Sequence, residues 1–280
     1  MERKVIIFIM LILSGMLHAQ HNSANHIWDG RLVNHPTTNM PYKGQNQIFV
    51  IHYFDAIGEN GFKDMFGVYG SANIQMGLEY GFSDVFSAYF LTEKLNKTQE
   101  LGIRYLLSEQ NKELDNPVGL AASFSVSIDG RDEKYFGENY YFINRFFYTS
   151  QLSLTHIFNH RWEMMANATI AHFNIVPEGN FSTFLAINPS LSFKLNRKKA
   201  VFASFDFPLG LASASEENPQ QPKPLVTLGM IFKTRTHNFQ LFVSNGSHIN
   251  PAKEYLNNQI GFNPEQFCFG FNINVKPHTN

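Results

Sequence analysis

The sequence has little charge of either sign. Only 16% of its 280 residues are Asp, Glu, Lys or Arg, against roughly 25% in a typical soluble domain. The 22 basic and 23 acidic residues leave a formal net charge of −1. This balance predicts no basic patch of the kind that nucleic acid binding requires, so we expect no nucleic acid partner.

Disulfides and long apolar runs are also missing. Cys268 is the single cysteine, which excludes a small extracellular scaffold held by internal disulfides. The mean hydropathy is −0.21, and no run of about 18 apolar residues follows the N-terminus, although a spanning helix needs that length. These features exclude a membrane protein built from several helices. They leave open a membrane β-barrel, in which only every second residue faces lipid.

The N-terminus has the pattern of a secretory signal peptide. Arg3 and Lys4 precede an apolar run that ends at Leu13, and a small-residue cleavage site ends at Ala19. The run is too short to span a bilayer. We predict a signal peptide at 1–19, a polar periplasmic leader at 20–46 and a β-barrel domain at 47–280.

Beyond the leader, apolar and polar residues alternate, which is the pattern of a strand with one apolar face. The last segment places Phe267, Phe269, Phe271, Ile273 and Val275 on one face and Cys268, Gly270, Asn272 and Asn274 on the other. Segments of this kind lie at about 47–56, 71–82, 85–94, 98–109, 118–129, 142–158, 163–175, 181–195, 200–209, 225–234, 237–247 and 265–275. We therefore predict an all-β fold, an antiparallel transmembrane β-barrel of about 12 strands.

The connections alternate between short and long. Tight turns stand at 83–84, 159–161, 196–199 and 235–236, whereas long connections stand at 57–70, 130–141, 210–224 and 248–264. Short turns on one rim and long loops on the other are typical of bacterial outer-membrane barrels. The face opposite the apolar one is mostly neutral and polar, which suits a lumen. A secreted β-sandwich with a phenylalanine-rich core is the alternative.

A resemblance points the same way. Its residues are Ile51-His52-Tyr53-Phe54, Met65-Phe66-Gly67, Ile74-Gln75-Met76-Gly77-Leu78-Glu79-Tyr80-Gly81-Phe82-Ser83-Asp84 and Leu101-Gly102-Ile103-Arg104-Tyr105-Leu106-Leu107. Over 49–110 the chain resembles a family of bacterial outer-membrane β-barrels known as a domain of unknown function. It departs at Val68-Tyr69, where an acidic residue is expected, and at Tyr53, where a basic one is. The resemblance implies a barrel in the outer membrane of a Gram-negative bacterium and carries no activity.

Strand parity selects polar side chains as candidates for lining the lumen. They are Gln75, Glu79, Arg104, Gln151, Lys194, Asp206, Lys233 and Gln240. Their mixed charges argue against a strongly ion-selective pore, which needs a ring of one sign. Twelve strands imply a backbone diameter of roughly 24 Å, so the lumen is narrow once side chains are placed. The polar leader, or an inward-folded loop, could plug it.

Residues with catalytic or metal-binding chemistry give weak patterns. The 11 histidines match no zinc spacing, and no haem attachment motif is present, so we predict no metal and no cofactor. A lipid hydrolase needs a base beside a nucleophile. His156 and His172 have the parity of the apolar wall but no evident nucleophile, so we assign no catalytic residue. The run Arg197-Lys198-Lys199 either meets anionic groups at the inner rim or is a solvated cap.

Taken together, these features predict an outer-membrane barrel of unknown cargo. We expect porin- or transporter-like passage or binding of small molecules, with membrane lipid and a small-molecule solute as partners. The first alternative is a barrel-embedded lipid hydrolase. The second is a structural or surface-interaction barrel whose long loops bind a partner through Tyr135, Tyr140, Tyr141 and Tyr255. The oligomeric state does not follow from the sequence.

Overall fold

The chain folds into a closed antiparallel barrel of twelve strands. The computed structural model describes residues 26–58, 61–111, 116–213, 220–259 and 261–276, and the predicted signal peptide lies outside these ranges. Each barrel strand pairs with its neighbour in the chain, and the last strand closes the barrel against the first. The predicted fold class and strand number are confirmed.

A short hairpin precedes the barrel. Its strands are β1 (Arg31–Leu32) and β2 (His35–Pro36). The barrel strands are β3 (Asn46–Ala56), β4 (Asn73–Gly81), β5 (Phe86–Glu93), β6 (Gln99–Ser108), β7 (Gly119–Ile128), β8 (Phe146–Ile157), β9 (Trp162–Phe173), β10 (Phe181–Lys194), β11 (Lys199–Ser213), β12 (Leu225–Lys233), β13 (His237–Ser244) and β14 (Cys268–Val275).

Some predicted strand bounds were wrong. The strand predicted at 142–158 begins later, because Phe142–Arg145 forms a 3-10 turn. The last strand begins at Cys268, because Pro264–Gln266 forms another such turn. The strand predicted at 200–209 continues to Ser213, where it pairs with β10 alone.

The two faces of the wall follow the predicted alternation. On β14, Cys268, Gly270, Asn272 and Asn274 are buried, whereas the apolar residues between them are more exposed. Outward side chains such as Leu101, Ile170 and Leu241 are 64%, 52% and 53% exposed. The barrel is therefore apolar outside, as a strand that faces lipid requires.

The connections divide between two rims. Among the described residues, the short-turn rim carries 82–85, 109–111, 116–118, 158–161, 195–198 and 234–236. The long-loop rim carries 57–58, 61–72, 94–98, 129–145, 174–180, 220–224, 245–259 and 261–267. β3 begins and β14 ends at the short-turn rim. The last long loop contains α1 (Pro251–Asn257), which Asn250 caps by accepting hydrogen bonds from the N–H groups of Ala252 and Lys253. Within the described ranges, no helix is long and apolar enough to cross a membrane.

Candidate functional site

A segment of the chain's own N-terminal part occupies the lumen. Residues 26–40, which we call the plug, enter from the short-turn rim, reverse at Val33 and Asn34, and return. The plug is almost entirely buried, and its Trp28 is 0% exposed. The sequence predicts a periplasmic leader at 20–46, and the structure shows residues 26–40 of it inside the barrel.

Apolar side chains anchor the plug to the wall. Ile27, Trp28, Leu32 and Val33 share one buried cluster with inward-facing wall residues. The wall members include Ile51, Tyr53, Met165, Ala200, Phe202, Ile231 and Phe242. We expected a mostly neutral, polar inward face, and the wall also carries these inward apolar groups, which the plug shields from water. Burial at roughly 25 cal/mol per Å² of apolar surface favours the docked plug.

Amide side chains of the wall bind the main chain of the plug. Asn238 Nδ2 donates to the Ile27 carbonyl at 3.1 Å. Gln240 Nε2 and Asn274 Nδ2 donate to the Arg31 carbonyl at 2.7 and 3.1 Å. Buried main-chain polar groups need hydrogen-bond partners. These side-chain amides supply the hydrogen bonds that a neighbouring strand would supply in a sheet.

The tip of the plug is held in a strained conformation. Val33 has a φ of 54°, in the left-handed region that β-branched residues rarely adopt. Its N–H donates to Gln240 Oε1 at 2.7 Å, and its carbonyl accepts from Asn272 Nδ2 at 2.7 Å. Such strain persists only where surrounding contacts impose it. β13 and β14 therefore fix the position of the tip.

Charged groups tie the plug to the wall at the short-turn rim. Asp29 Oδ1 lies 3.0 Å from Lys276 Nζ and 3.4 Å from Lys233 Nζ. Burial alone would raise the pKa of Asp29, but the two ammonium charges outweigh it and hold this pKa below its ordinary value. Deeper in the lumen, Arg104 pairs with Glu79 at 2.8 Å and donates to the carbonyl of Thr37.

The last long loop fills the lumen from the other side. Asn250 Nδ2, just before α1, donates to Glu100 Oε2 at 2.9 Å. Lys253 Nζ lies 2.6 Å from Asp129 Oδ2. Burial would raise the pKa of Asp129, but hydrogen bonds from Arg131 and the charge of Lys253 outweigh it and lower this pKa. Both segments that the sequence offered as possible plugs thus lie in the lumen.

The plug and the loop meet at Asp206 on β11. His35 Nε2 from β2 lies 2.9 Å from Asp206 Oδ1, and the Tyr255 hydroxyl of α1 donates to the same oxygen at 3.1 Å. Gln151 Nε2 lies 3.3 Å from the other ring nitrogen of His35. The cavity between the two segments has a volume of about 10 Å³, enough for about one water molecule. The two segments therefore leave almost no free space where they meet.

The eight lumen candidates lie at different depths and do not form a ring. Glu79, Arg104, Gln151, Asp206, Lys233 and Gln240 make the contacts given above. Gln75 is 3% exposed on β4, and Lys194 is half-buried at the short-turn rim. Sequence reasoning missed Trp28, His35 and Lys253. Apolar residues within a polar leader were the available signal for the plug.

The residues considered for other functions lie elsewhere. His156 Nδ1 is 2.6 Å from the Pro117 carbonyl, and His172 Nδ1 is 2.9 Å from Thr183 Oγ1, both on the outward face. In the described part of the chain, neither ring has a carboxylate partner that would orient it as a base. Tyr255, expected on a partner-binding loop, was placed wrongly, because it is buried in the lumen at 1% exposure.

The other three tyrosines expected to bind a partner lie in the loop between β7 and β8. Tyr135 and Tyr141 are 58% and 70% exposed, whereas the Tyr140 hydroxyl accepts a hydrogen bond from Arg145 Nε at 2.6 Å. Among the residues that the structure describes, no group of three His, Cys, Asp or Glu side chains could hold a metal ion.

Larger cavities open at the two rims. A cavity of about 630 Å³ lies at the short-turn rim, against the plug. Two others, of about 630 and 430 Å³, lie among the long loops. The plugged barrel therefore presents a vestibule on each side of a closed centre.

Comparison with known proteins defines the family. A family model described as "Membrane bound beta barrel domain (DUF5777)" matches residues 29–276. The chain belongs to this family. The resemblance noted over 49–110 is thereby confirmed, and the match also includes most of the plug. No curated protein matches the sequence.

Solved structures share the barrel fold. One is the KdgM porin, with 8% identity and a TM-score of 0.52 over 83% of this chain and 99% of that one. A second structure, of the KdgM porin in complex with disordered oligogalacturonate, has 5% identity and a TM-score of 0.50, and the match covers 83% of this chain and 99% of that one. An outer membrane channel from Pseudomonas putida F1 has 9% identity and a TM-score of 0.51, and the match covers 85% of this chain and 97% of that one. At such identities the likeness is one of fold.

Proposed function

We propose that this barrel is a gated channel in the outer membrane of a Gram-negative bacterium, to which the chain is exported by its signal peptide. Small polar molecules pass when the plug leaves the lumen. The observation that carries the proposal is that two segments, the plug and the last long loop, and not the wall itself, occupy the lumen. The names of the similar structures, two of the KdgM porin and one of an outer membrane channel, support this location and this activity.

The plug is built so that it can move. β1 and β2 pair with each other and with no barrel strand in the described structure, so the plug can leave without breaking a bond between barrel strands. Most of its specific contacts are hydrogen bonds and ion pairs, which water can replace when the lumen fills. The cost of opening is concentrated in the small apolar cluster around Trp28.

A disulfide that holds the plug against the wall, which we call the lock, tests whether movement of the plug opens the channel. The hydroxyl oxygens of Thr38 in the plug and Thr155 on β8 are 2.6 Å apart, close enough for a disulfide between cysteines placed there. We would make Thr38→Cys/Thr155→Cys in a Cys268→Ser background and record single-channel conductance in planar bilayers. Thr38→Cys/Thr155→Ser in the same background is the matched control.

We expect openings in the control and in the reduced lock, and their loss when the lock is oxidised. Gln240→Ala/Asn272→Ala, which removes the two contacts at Val33, should increase the time spent open. Openings that continue unchanged in the oxidised lock would overturn the plug as the gate. A folded barrel that stays silent in every variant would overturn passage, and would leave the surface-interaction alternative in its place.

A further inference from the structure

The cavity at the short-turn rim is lined by six basic side chains together with apolar and amide residues. It lies between the turns 158–161 and 195–198 and above His26 of the plug. The cations that line it are Arg161, Lys194, Arg197, Lys198, Lys199 and Lys233, and no Asp or Glu is among its described lining residues. Six of the 22 Lys and Arg residues thus share one cavity, a local surplus that the neutral overall charge concealed.

Four of the six cations have no ion-pair partner among the described residues. Some cations elsewhere in the described structure do have one, as Arg131 has in Asp129. By contrast, Arg161, Arg197, Lys198 and Lys199 form no ion pair with any described residue.

Two described acids that contact residues of the cavity lining already have partners. Glu163 pairs with His26 and accepts from the N–H of Ile27 at 2.6 Å. Asp29 binds Lys276 and Lys233. The charges of Arg161, Arg197, Lys198 and Lys199 are therefore not neutralised by these two acids and can attract an anionic ligand.

We propose that this cavity binds small soluble solutes with two or more anionic groups, such as phosphates or carboxylates. A concave surface with one sign of charge focuses the field and concentrates counter-ions. The volume of about 630 Å³ falls in the usual range for small-molecule sites. The inference names the solute class of the proposed channel and rests on that function for passage, but binding itself does not need an open lumen.

Membrane lipid is the other source of such anions. Arg161 and Lys199 lie 5.9 Å from the outward rings of Phe193 and Phe232, within reach of lipid headgroups. Lys194 and Lys233, however, share the inward parity of their strands, and the plug forms part of the lining. A soluble solute reaches these inner groups, whereas a headgroup held in the bilayer does not.

Pyrophosphate is a suitable probe, measured by calorimetry on the full chain in zwitterionic nanodiscs. The test variant is Arg197→Glu/Lys198→Glu, in an exposed turn, and the control is Lys43→Glu/Arg235→Glu. Both control residues are exposed on the same rim and do not line the cavity, so the change in net charge is equal. Heat-modifiable migration checks folding.

We expect saturable binding that the test pair weakens about tenfold or more and the control about twofold or less. Raising NaCl from about 50 to about 500 mM should also weaken it. Absence of saturable binding, or equal losses in the two variants, would overturn the proposal. Loss of binding in nanodiscs that contain phosphatidylglycerol would identify lipid as the occupant, which also overturns it.

Failure of this inference can be told from failure of the proposed function. Binding with the expected pattern, together with a barrel that stays silent in every variant, would retain the anion site and remove the channel. Openings controlled by the Thr38→Cys/Thr155→Cys lock, together with no anion binding, would do the reverse.

Discussion

Arg104 and Glu79 form a buried ion pair that reaches across a whole strand of the barrel. Arg104 on β6 and Glu79 on β4 are separated by β5, whose Ser87 donates to the same carboxylate at 2.5 Å. The guanidinium also donates to the carbonyl of Thr37 in the plug. The buried Arg104–Glu79 pair therefore holds β4, β5 and β6 of the wall together and also binds the plug.

Glu79→Gln should lower the free energy of unfolding by about 3–5 kcal/mol, because Arg104, which is 1% exposed, would stay buried without its counter-charge. Urea titration of the barrel in lipid vesicles measures this. The double variant Glu79→Gln/Arg104→Met should recover most of the loss, since it removes both charges. A single variant within about 1 kcal/mol of the parent would contradict a stabilising pair.

Asp129→Asn should release α1 from the lumen. Lys253 would then be left facing the rings of Phe147 and Phe173 at 5.0 and 5.5 Å, without the carboxylate that offsets its burial. Trypsin should cut after Lys253 faster in this variant than in the parent. Glu133→Gln, an exposed change in the same loop, is the control, and equal cutting in both variants would show that Asp129 does not hold the helix.

The wall of the barrel was predictable from the sequence because it depends on local pattern. Phe269, Phe271 and Ile273 alternate with Gly270 and Asn272 in the chain, and a strand turns that alternation into two faces whatever its neighbours are. The predicted number of strands and the two unequal rims followed from this pattern and from the connection lengths.

The plug was not located from the sequence because it depends on distant partners. Val33 is held by Gln240 and Asn272, more than 200 residues away in the chain, and spacing carries no record of such contacts. The plug also lacks the alternation of apolar and polar residues that marks a strand, because most of its main chain bonds to side chains and not to another strand. Asn250-Pro251 was a usable signal for α1, because Asn is a favoured N-cap and Pro a favoured first residue.

Docking of the plug should weaken in acid. The pKa of Asp29 is lower in the docked state than its ordinary value of about 3.9. Its contribution is therefore complete above about pH 4 and is lost as the pH falls through the lowered pKa. In Trp162→Phe protein Trp28 is the single tryptophan, so its quenching by acrylamide reports the release of the plug.

The matched variant is Asp29→Asn in the same background. It should show stronger quenching already at neutral pH, because the ties to Lys233 and Lys276 are lost, and a smaller further rise below about pH 4. A pH profile identical to that of the parent would assign the acid response to groups other than Asp29.

The outward face should tolerate a charge according to its depth in the membrane. Leu241, in the middle of β13, and Leu211, near the long-loop end of β11, are 53% and 54% exposed. Leu241→Lys should cost about 2–4 kcal/mol and Leu211→Lys about 0–1 kcal/mol, because a lysine near the bilayer centre has no water to solvate it. Reversible unfolding in lipid vesicles gives both values. If the outward face met water, each substitution would stay within about 0.5 kcal/mol of the parent, so equal small losses would contradict a lipid-facing wall.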